Sequence, residues 1–167
     1  MEIKLRALEP CDIDAIFRWE NDPAVWAWSA AHQPFSRHAL EQFIEESSLT
    51  DIYSSRQLRL VSESEGKAVG CIDLFDFDPH NRKAGVGIIV DGEVRRQGVG
   101  SAMLEALEGF AGEHLLMHQL HCTVAADNGA SLGLFRKCGY RECGRLEEWV
   151  FQRGEWVDAI VFQKVIG

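Results

Sequence analysis

The chain has 167 residues and a formal net charge of −9, from 17 lysine and arginine residues against 26 aspartate and glutamate residues. Hydrophobic residues make up 46% and charged residues 26%, which excludes a disordered, collagen-like or coiled-coil chain and predicts one globular domain over residues 1–167. The acidic balance disfavours nucleic acid as a partner, because phosphates require a cationic surface. No apolar run approaches the roughly 18 residues of a membrane span, and the charged N-terminus is not typical of a secretory signal.

The five cysteines and six histidines predict neither disulfides nor a metal centre. The cysteines are scattered, which is typical of reduced thiols in a cytoplasmic protein. His114, His118 and His121 lie close together beside Cys122, but a predicted boundary between a helix and a strand divides them. The order Glu113-His114 also differs from the zinc arrangement His-Glu-x-x-His. We therefore expect a cytoplasmic protein with no bound metal.

The first half of the chain alternates short predicted strands with two amphipathic helices. Apolar and charged side chains alternate over 2–8, which predicts a first strand. An aspartate is the candidate cap of a helix over 12–21, and a second helix begins at Ser36. Residues 56–63 and 67–77 are typical of strands joined in a hairpin. The expected core-facing positions of the two helices are Ile13, Ile16, Phe17, Leu40, Phe43 and Ile44.

The second half contains the most apolar predicted strand. Residues 83–91 are apolar on both faces, which predicts a central position in a sheet. A helix over 98–112, a strand over 118–125 and a helix over 129–138 follow, and then two strands after Tyr140. Helices between strands, with hairpins near both ends, predict an α/β or α+β fold with a mixed sheet. The order is not the regular alternation of a dinucleotide-binding fold.

A basic turn with two glycines, over residues 91–101, follows the predicted central strand. The first N–H groups of a helix have no partner inside it, and the helix dipole adds positive potential there. Gly98 and Gly100 leave the backbone open to a phosphate, and Arg95 and Arg96 add charged donors. The turn lacks the Gly-Lys-Ser/Thr of a Walker loop and the third glycine of a dinucleotide fingerprint. It predicts another type of anion site, or a helix start with exposed arginines and no ligand.

Two motifs in this part of the chain resemble those of the GNAT superfamily of N-acetyltransferases. The basic turn matches the family's pattern Gln/Arg-x-x-Gly-x-Gly/Ala, which binds the pyrophosphate of acetyl-CoA. Residues 128–140 resemble the family's pattern Asn-x-x-Ala/Ser-x-x-x-Tyr/Phe-x-Lys/Arg-x-Gly-Phe/Tyr. Segments 5–8 and 19–23 and the C-terminal strand pair look like the branch of spermidine N-acetyltransferases and ribosomal-protein N-terminal acetyltransferases.

This resemblance implies a fold, a reaction and a co-substrate. The expected fold is a single-domain, mostly antiparallel central sheet flanked by helices, with a V-shaped splay between two central strands. The expected activity is direct transfer of an acetyl group from acetyl-CoA, the co-substrate, to a primary amine. The acceptor is a small amine, such as a polyamine, or a protein N-terminus. A homodimer is compatible with the family, and neither a nucleic acid nor a membrane is expected as a partner.

The resemblance also assigns residues to acetyl-CoA. Backbone groups of Ile88, Ile89 and Val90 on the central strand are expected to bind the pantetheine arm and polarise the thioester. Asn128 is expected beside the same arm, and Lys137 near the nucleotide phosphates. The residues expected around the pyrophosphate are Arg95, Arg96, Gln97, Gly98, Val99, Gly100 and Ser101.

The catalytic side chains depart from the family's usual pattern. Phe135 stands where many relatives have the tyrosine that protonates the leaving thiolate, and we expect it to pack against CoA or the core. Ser131 matches a serine to which the ribosomal-protein branch assigns this acid role; its alternative role is a helix cap. Gly85 replaces a glutamate base found on the central strand of many relatives.

Aspartates on the strand before the central one are the candidate bases. Asp73 shares strand parity with apolar residues, where a carboxylate is costly unless it has a partner, and an unpartnered Asp73 is expected to be a useful base. Asp76 and Asp78 lie at the end of that strand, and Asp73 and Asp76 match acidic positions of spermidine acetyltransferases. Glu147 and Glu148 on a late strand are further candidates. For each, the alternative is a solvated or ion-paired carboxylate.

The acceptor pocket is less well defined by the sequence. Residues 30–32, Ala-Ala-His, stand where spermidine acetyltransferases carry two glutamates, so that selective feature is absent. Two other functions stay open. The first is a CoA-binding module without catalysis, which the replacements at Phe135 and Gly85 favour. The second is a protein-interaction domain that uses the same fold only as a scaffold. The aromatic residues expected to line the pocket are Trp26, Trp28, Phe35 and Trp149.

Overall fold

The computed structural model describes residues 1–29 and 33–167. Seven strands form one mixed sheet in the order β1-β2-β3-β4-β5-β7-β6. The strands are β1 (Lys4–Arg6), β2 (Leu58–Ser64), β3 (Lys67–Asp78), β4 (Lys83–Val90), β5 (Gln119–Ala125), β6 (Arg141–Gln152) and β7 (Glu155–Val165). The α-helices are α1 (Ile13–Glu20), α2 (Pro23–Trp26), α3 (Arg37–Leu49), α4 (Ile52–Ser55), α5 (Val99–Glu113) and α6 (Gly129–Lys137). No helix in the two described ranges is long and apolar enough to cross a membrane.

The sheet confirms the predicted α/β architecture and places β4 at its centre. Neighbouring strands are antiparallel, except that β4 and β5 are parallel. The hairpins β2–β3 and β6–β7 lie where the sequence predicts them. Helix α4 has no counterpart among the predicted elements, because its four residues are too few to show a helical period.

Helices cover the two faces of the sheet unevenly. Helices α5 and α6 pack on one face, over a core that includes Ile72. Helices α1 and α3 pack on the other face, over Val61 and its neighbours on β2 and β3. On this second face, the part formed by β5 and β7 is open: Thr123 is exposed, and His121 and Gln163 are only half-buried. We call this part the open face.

Helix α1 faces the core with Ile13 and Ile16, as its apolar spacing predicts, but with Trp19 in place of Phe17. Ile16 and Trp19, three residues apart, are buried, whereas Phe17 is exposed. The guanidinium of Arg37 lies 5.6 Å from the centroid of the Phe17 ring. Trp19 donates its Nε1–H to Asp91 at 2.7 Å. This buried polar contact, which a hydrophobic pattern does not show, fixes the side of α1 that faces the sheet.

Strands β4 and β5 separate soon after they begin. Their parallel register joins Lys83 with Gln119, Ala84 with Leu120 and Gly85 with His121. Beyond this third pair, β4 continues to Val90 and β5 to Ala125, with no pairing between them in the described residues. The predicted V-shaped splay is therefore confirmed, with its apex at Gly85 and His121.

Candidate active site

The backbone of β4 presents polar groups to the gap between β4 and β5. Successive residues of a strand direct their N–H and C=O groups toward opposite neighbours. The carbonyl of Arg82 accepts from the N–H of His118 at 2.7 Å, on the β5 side. The alternation places the groups of Val86 and Ile88 on this side too, beyond the last pair with β5. These groups are available to a pantetheine arm.

One predicted backbone contact on β4, that of Ile89, is wrong, and a second, that of Val90, is reduced to its N–H group. The carbonyl of Ile89 faces β3, because a Cβ built on Gly70 would lie 2.2 Å from its oxygen. The carbonyl of Val90 accepts from Arg95 Nε at 3.0 Å. Of the three predicted residues, Ile88 alone keeps both backbone groups available toward the gap. Val86, which the sequence analysis did not assign, joins it.

The first turn of α5 has the form of an anion site. Gly98 caps this 15-residue helix at φ 84°, without a side-chain hydrogen bond. A Cβ built on Gly98 would meet no atom within 4 Å, so the space beside the helix start is open. The N–H groups of the first turn lack partners inside the helix, and the dipole favours negative charge there. A phosphate fits this position.

Gly100, by contrast, serves packing. A Cβ built on it would lie 3.2 Å from the Leu134 side chain and 3.5 Å from that of Val90. Its missing side chain therefore lets α6 approach the start of α5. The prediction that Gly100 opens space for a phosphate is wrong, and its backbone N–H is all that it offers a ligand.

The two arginines of the turn differ in their partners. Arg95 donates to Asp22 at 2.9 Å as well as to the Val90 carbonyl, so it ties the turn to the N-cap of α2. Arg96 is exposed, at φ 64°, and has no protein partner among the described residues. Arg96 is therefore the arginine whose charge is available to a ligand.

The other turn residues offer mainly backbone groups. Gln97 donates its side-chain amide to the Glu93 carbonyl at 3.3 Å. The Val99 side chain is buried in the core, so this residue can contribute only its N–H group. Ser101 is half-buried in the first turn of α5. We infer that Val99 and Ser101 act on a phosphate through the helix start.

A buried carboxylate anchors the beginning of the turn. Asp91 accepts from Arg18 at 2.6 Å, from Trp19 at 2.7 Å and from the N–H of Glu93 at 2.9 Å. Burial alone would raise the pKa of Asp91, but these hydrogen bonds outweigh it and hold the pKa below its ordinary value. The turn is thus fixed to α1 through an ionised side chain.

Helix α6 carries three predicted residues. Asn128 caps it by accepting the N–H of Ser131 at 3.1 Å, and the Ser131 hydroxyl has no hydrogen-bond partner in the described residues. Ser131, Leu134 and Lys137 are spaced three apart and share one side of the helix. Leu134 packs at Gly100, so this side faces the end of β4 and the start of α5. Lys137 is exposed there.

Phe135 belongs to the core, as the second of its two expected roles. Its ring lies 5.0 Å from that of Tyr140, edge-on, and 5.9 Å from that of Phe162, stacked. All three side chains are buried. Phe135 is therefore not a cofactor contact, and burial raises the pKa of the Tyr140 hydroxyl that packs beside it.

Together these features fit acetyl-CoA. Val86 and Ile88 offer backbone hydrogen bonds to an amide-bearing arm, and the start of α5 is open to phosphates. Arg96 and Lys137 supply exposed cations nearby. Among residues 1–29 and 33–167, no group of three or more histidine, cysteine, aspartate or glutamate side chains is arranged to hold a metal ion.

Asp73, the first candidate base, is held in an ion-pair network. Arg59 donates its Nε–H to one carboxylate oxygen of Asp73 at 2.8 Å and a terminal N–H to the other at 2.7 Å. Arg59 also pairs with Glu20. Burial alone would lower the pKa of the Arg59 guanidinium, but Asp73 and Glu20 raise it well above its ordinary value. Asp73 is therefore the ion-paired carboxylate that the sequence analysis gave as its alternative role.

The other candidate acids lie on irregular parts of strands. Asp76 is exposed at φ 48°, in a bulge of β3 between Phe75 and Asp78. Asp78 accepts from the backbone and side chain of Asn81, which lowers the pKa of Asp78. Glu147 and Glu148 are exposed, in a register shift of β6 against β7. Of these four acids, Asp76 lies close enough to the apex of the splay for its charge to act on His121.

A cavity of about 1480 Å³ lies beside the Asp73 network, between α3 and strands β2 and β3. Phe35 and Phe75 contribute to its apolar wall. The cavity is acidic, since Arg59 is the one lysine or arginine among its lining residues in the described part of the chain. The acidic lining residues are Glu9, Glu20, Glu41, Glu45, Glu46 and Asp73.

Of the four aromatic residues predicted to line the acceptor pocket, Phe35 is the one that lines this cavity. Trp26 donates its Nε1–H to the backbone carbonyl of Glu20 at 2.7 Å, and so helps to hold the residue that pairs with Arg59. Trp28 lies 5.5 Å from the Arg153 guanidinium of the β6–β7 turn. Trp149 is 61% exposed on β6. The predicted difference at residues 30–32 lies outside the described residues.

Besides Val86, the sequence analysis gave no role in the site to Arg59 or Glu20, and none in catalysis to His121. Arg59 lies on a strand between two leucines. Glu20 lies at the end of α1, within segment 19–23, which resembles the family but suggested no role for this side chain. His121 attracted attention only as a metal ligand. The signal available in the sequence was the charge of Arg59 inside an apolar strand, since a buried charge requires a partner.

The family comparison matches most of the chain. Residues 2–141 match the family model described as an acetyltransferase (GNAT) domain. Among curated proteins, the chain is 25% identical over 160 residues to spermidine N(1)-acetyltransferase of Escherichia coli (strain K12), covering 95% of this chain and 83% of the relative. It is 26% identical over 166 residues to the L-amino acid N-acetyltransferase AaaT of the same organism, covering 98% of each chain.

The fold comparison identifies the same architecture in solved structures. The crystal structure of spermidine N-acetyltransferase from Vibrio cholerae in complex with CoA and spermine superposes with a TM-score of 0.87, at 23% identity, over 98% of this chain and 95% of that one. A dodecameric structure of the Vibrio cholerae enzyme matches with a TM-score of 0.82, at 24% identity, over 99% and 94%. At this identity the likeness shows the fold.

Proposed function

The chain belongs to the acetyltransferase (GNAT) family and is an acetyl-CoA-dependent N-acetyltransferase, and from this premise we propose that its acceptor is a small polycationic amine of the polyamine class. The observation that carries the proposal is the pairing of two sites. The splay of β4 and β5 ends beside the open start of α5, and an acidic cavity lies on the other face of the sheet, over β2 and β3.

The residues of the splay support the transfer step directly. The neutral amine attacks the thioester carbonyl carbon, so a C–N bond forms, the C–S bond breaks and the thiolate takes a proton. A backbone N–H of β4 at the gap stabilises the charge that develops on the carbonyl oxygen. The Ser131 hydroxyl, free of protein partners in the described residues, is placed to donate to the leaving sulfur.

The charge of the cavity supports a polycation over an amino acid as acceptor. Four of its six carboxylates, those other than Glu20 and Asp73, make no ion pair with a described residue. Ammonium groups spaced along a chain are attracted by such a lining, whereas the carboxylate of an amino acid is repelled. Arg59 is not available to bind that carboxylate, because its guanidinium already pairs with Glu20 and Asp73.

An acceptor screen tests this proposal. Release of CoA thiol from acetyl-CoA is measured with spermidine, spermine, L-amino acids, peptides with free N-termini and no acceptor. We expect the highest kcat/KM with the polyamines, and a KM that rises with ionic strength because exposed charges are screened over about 8–10 Å. Greater activity on amino acids or peptides would overturn the acceptor assignment. Binding of acetyl-CoA without thiol release would instead favour the CoA-binding module.

A matched pair of variants locates the acceptor charge. Glu45→Gln combined with Glu46→Gln removes two cavity carboxylates on α3, and we expect it to raise the KM for spermine several-fold while kcat changes little. Glu105→Gln combined with Glu113→Gln removes two exposed carboxylates on α5, on the opposite face of the sheet, and is the control. Equal effects of the two variants would show that overall charge, and not the cavity, attracts the acceptor.

The homodimer that the family resemblance allows remains a proposal. The hairpin β6–β7 supports it, because β6 is an edge strand and Trp149, Phe151 and Trp156 are each about 60% exposed on this hairpin. Exposed aromatic side chains on an unpaired edge favour association. Light scattering after size-exclusion chromatography tests this proposal, and Trp156→Ser is expected to shift the mass toward that of a single chain.

A further inference from the structure

An N-acetyltransferase must remove a proton from its acceptor, and the expected groups are poorly placed for this task. An alkylammonium of pKa near 10.4 is neutral in only about one molecule in a thousand at pH 7. Position 85 is a glycine, and the ring of Phe75 fills its space: a Cβ there would lie 2.3 Å from the ring. Asp73 has both carboxylate oxygens bound by Arg59.

His121 lies at the apex of the splay. It is the residue of β5 paired with Gly85, the last point at which the two strands are joined. Its ring contacts that of Phe75 edge-on, with centroids 6.4 Å apart, so its side chain lies on the face of the sheet that also carries Asp73. The imidazole is half-buried, and Thr123, two residues further along β5, is exposed. His121 therefore borders both the gap and the open face.

The surroundings of His121 contain few charges. Lys83 of β4 and Asp76 of β3 are the described charged groups that act on it, and β7 presents the neutral Gln163 opposite. Gln163 donates to Gln119 and so is engaged beside the imidazole. Asp76 reaches this position because the bulge in β3 turns it out of the strand register. A base and a carboxylate that attracts cations thus lie together.

We propose that His121 is the general base that accepts the proton of the acceptor's ammonium group. This inference rests on the proposed function. The ammonium loses one proton to the imidazole, and the neutral amine then forms the C–N bond while the C–S bond breaks. The Ser131 hydroxyl donates its proton to the leaving thiolate and takes the second proton of the amine in return, and the imidazolium returns its proton to water through the open face. Overall, an ammonium and acetyl-CoA give an amide, a thiol and one released proton.

The protonation state of the imidazole agrees with this role. Burial lowers the pKa of His121, Lys83 lowers it further and Asp76 opposes them, with a net pKa below its ordinary value. The imidazole is therefore neutral at pH 7 and available to accept a proton. Asp76 stabilises the imidazolium that forms, which makes it a positioning residue for the same step.

The pH dependence of His121→Gln tests the assignment. With the base present, kcat/KM is expected to be level from about pH 7 to pH 9, because the enzyme uses the abundant ammonium form. In His121→Gln only the rare neutral amine reacts, so kcat/KM at pH 7 falls about 100- to 1000-fold and rises tenfold per pH unit until the amine titrates near pH 10. His118→Gln, an exposed histidine before β5, is the control and keeps the wild-type profile.

Two further measurements separate the possible failures. Nuclear magnetic resonance titration of the imidazoles gives the pKa of His121 without any turnover, and Asp76→Asn is expected to lower that pKa. Calorimetry shows whether the His121→Gln variant is folded and still binds acetyl-CoA. An active wild type with an unchanged profile in His121→Gln would overturn the base assignment alone. A wild type that binds acetyl-CoA but releases no thiol with any amine would overturn the proposed function and this inference together.

Discussion

Arg59 and Asp73 face each other across β2 and β3 with two parallel hydrogen bonds, of 2.8 and 2.7 Å. Both side chains are largely buried, with 19% and 24% of their surfaces exposed. A bidentate guanidinium–carboxylate pair of this kind fixes the geometry of both partners. Asp73 therefore positions Arg59 and shapes the wall of the acidic cavity, and a proton-transfer role would first have to break this pair.

We expect Asp73→Asn to lower the free energy of unfolding by about 2 kcal/mol, because it leaves a part-buried guanidinium with one remaining carboxylate. Asp14→Asn is the matched control: its pair with Arg37 is on the surface, and its loss changes stability by less than about 1 kcal/mol. Urea unfolding of the two variants measures the difference. Equal and small losses would show that the Asp73 pair does not stabilise the fold.

The open space at Gly98 yields a prediction for the co-substrate. Asp and Asn both tolerate the left-handed conformation that Gly98 adopts, and they differ mainly in charge. We expect Gly98→Asp to bind acetyl-CoA at least tenfold more weakly than Gly98→Asn, about 1.4 kcal/mol, because the carboxylate repels the pyrophosphate. Calorimetry at low and high salt measures both dissociation constants. The difference between the two variants is expected to become smaller at high salt, because salt screens the repulsion. Equal dissociation constants would place the phosphates elsewhere.

Asp91 predicts a specific pH dependence of stability. Its pKa is lower in the folded protein than the ordinary value of 3.8, so its contribution is present above that value and is lost as the pH falls through the folded pKa. We expect Asp91→Asn to be less stable than wild type by about 1–3 kcal/mol at pH 7. The difference should shrink below about pH 3.8. Chemical unfolding at pH 7, 5 and 3 measures it, with Glu93→Gln, an exposed neighbour, as the control.

The register of β2 shows why the Arg59–Asp73 pair was not predictable. Counting back from the two-residue turn at Glu65 and Gly66 places Arg59 opposite Ile72, on the other face of the sheet from Asp73. A bulge between Ser62 and Glu63 shifts the register by one residue, and Arg59 then faces Asp73. A shift of one residue reverses the face of every side chain, and apolar patterning does not show where a bulge occurs.

The elements themselves were largely predictable, since long apolar periods and glycine turns mark them. The sequence predicted β4 as the central strand and the helix that follows it. The different roles of Gly98 and Gly100 were not predictable, because both fit one motif and only the packing of Leu134 distinguishes them. The position of His121 in the site was not predictable either. It depends on the point where β4 and β5 separate, and the alternation of side chains along β5 does not show that point.

Ser131 allows the proton on the leaving thiolate to be examined without disturbing the helix. The cap of α6 is a bond from the backbone N–H of Ser131 to Asn128 at 3.1 Å, and alanine at position 131 retains it. We therefore expect Ser131→Ala to keep its melting temperature and its affinity for acetyl-CoA, while kcat falls about tenfold or more; acid–base assistance generally contributes about 10²–10⁴-fold. Single-turnover thiol release measures the chemical step separately from binding.

Asn128→Ala is the contrasting variant for this test. It removes the cap acceptor, so we expect it to lower stability by about 1 kcal/mol and to weaken acetyl-CoA binding as the start of α6 loosens. If Ser131→Ala has an unchanged kcat while Asn128→Ala shows the expected loss of stability, the serine has only a structural place in the first turn. Water would then be the proton donor to the thiolate, and the rate would show no dependence on the side chain at position 131.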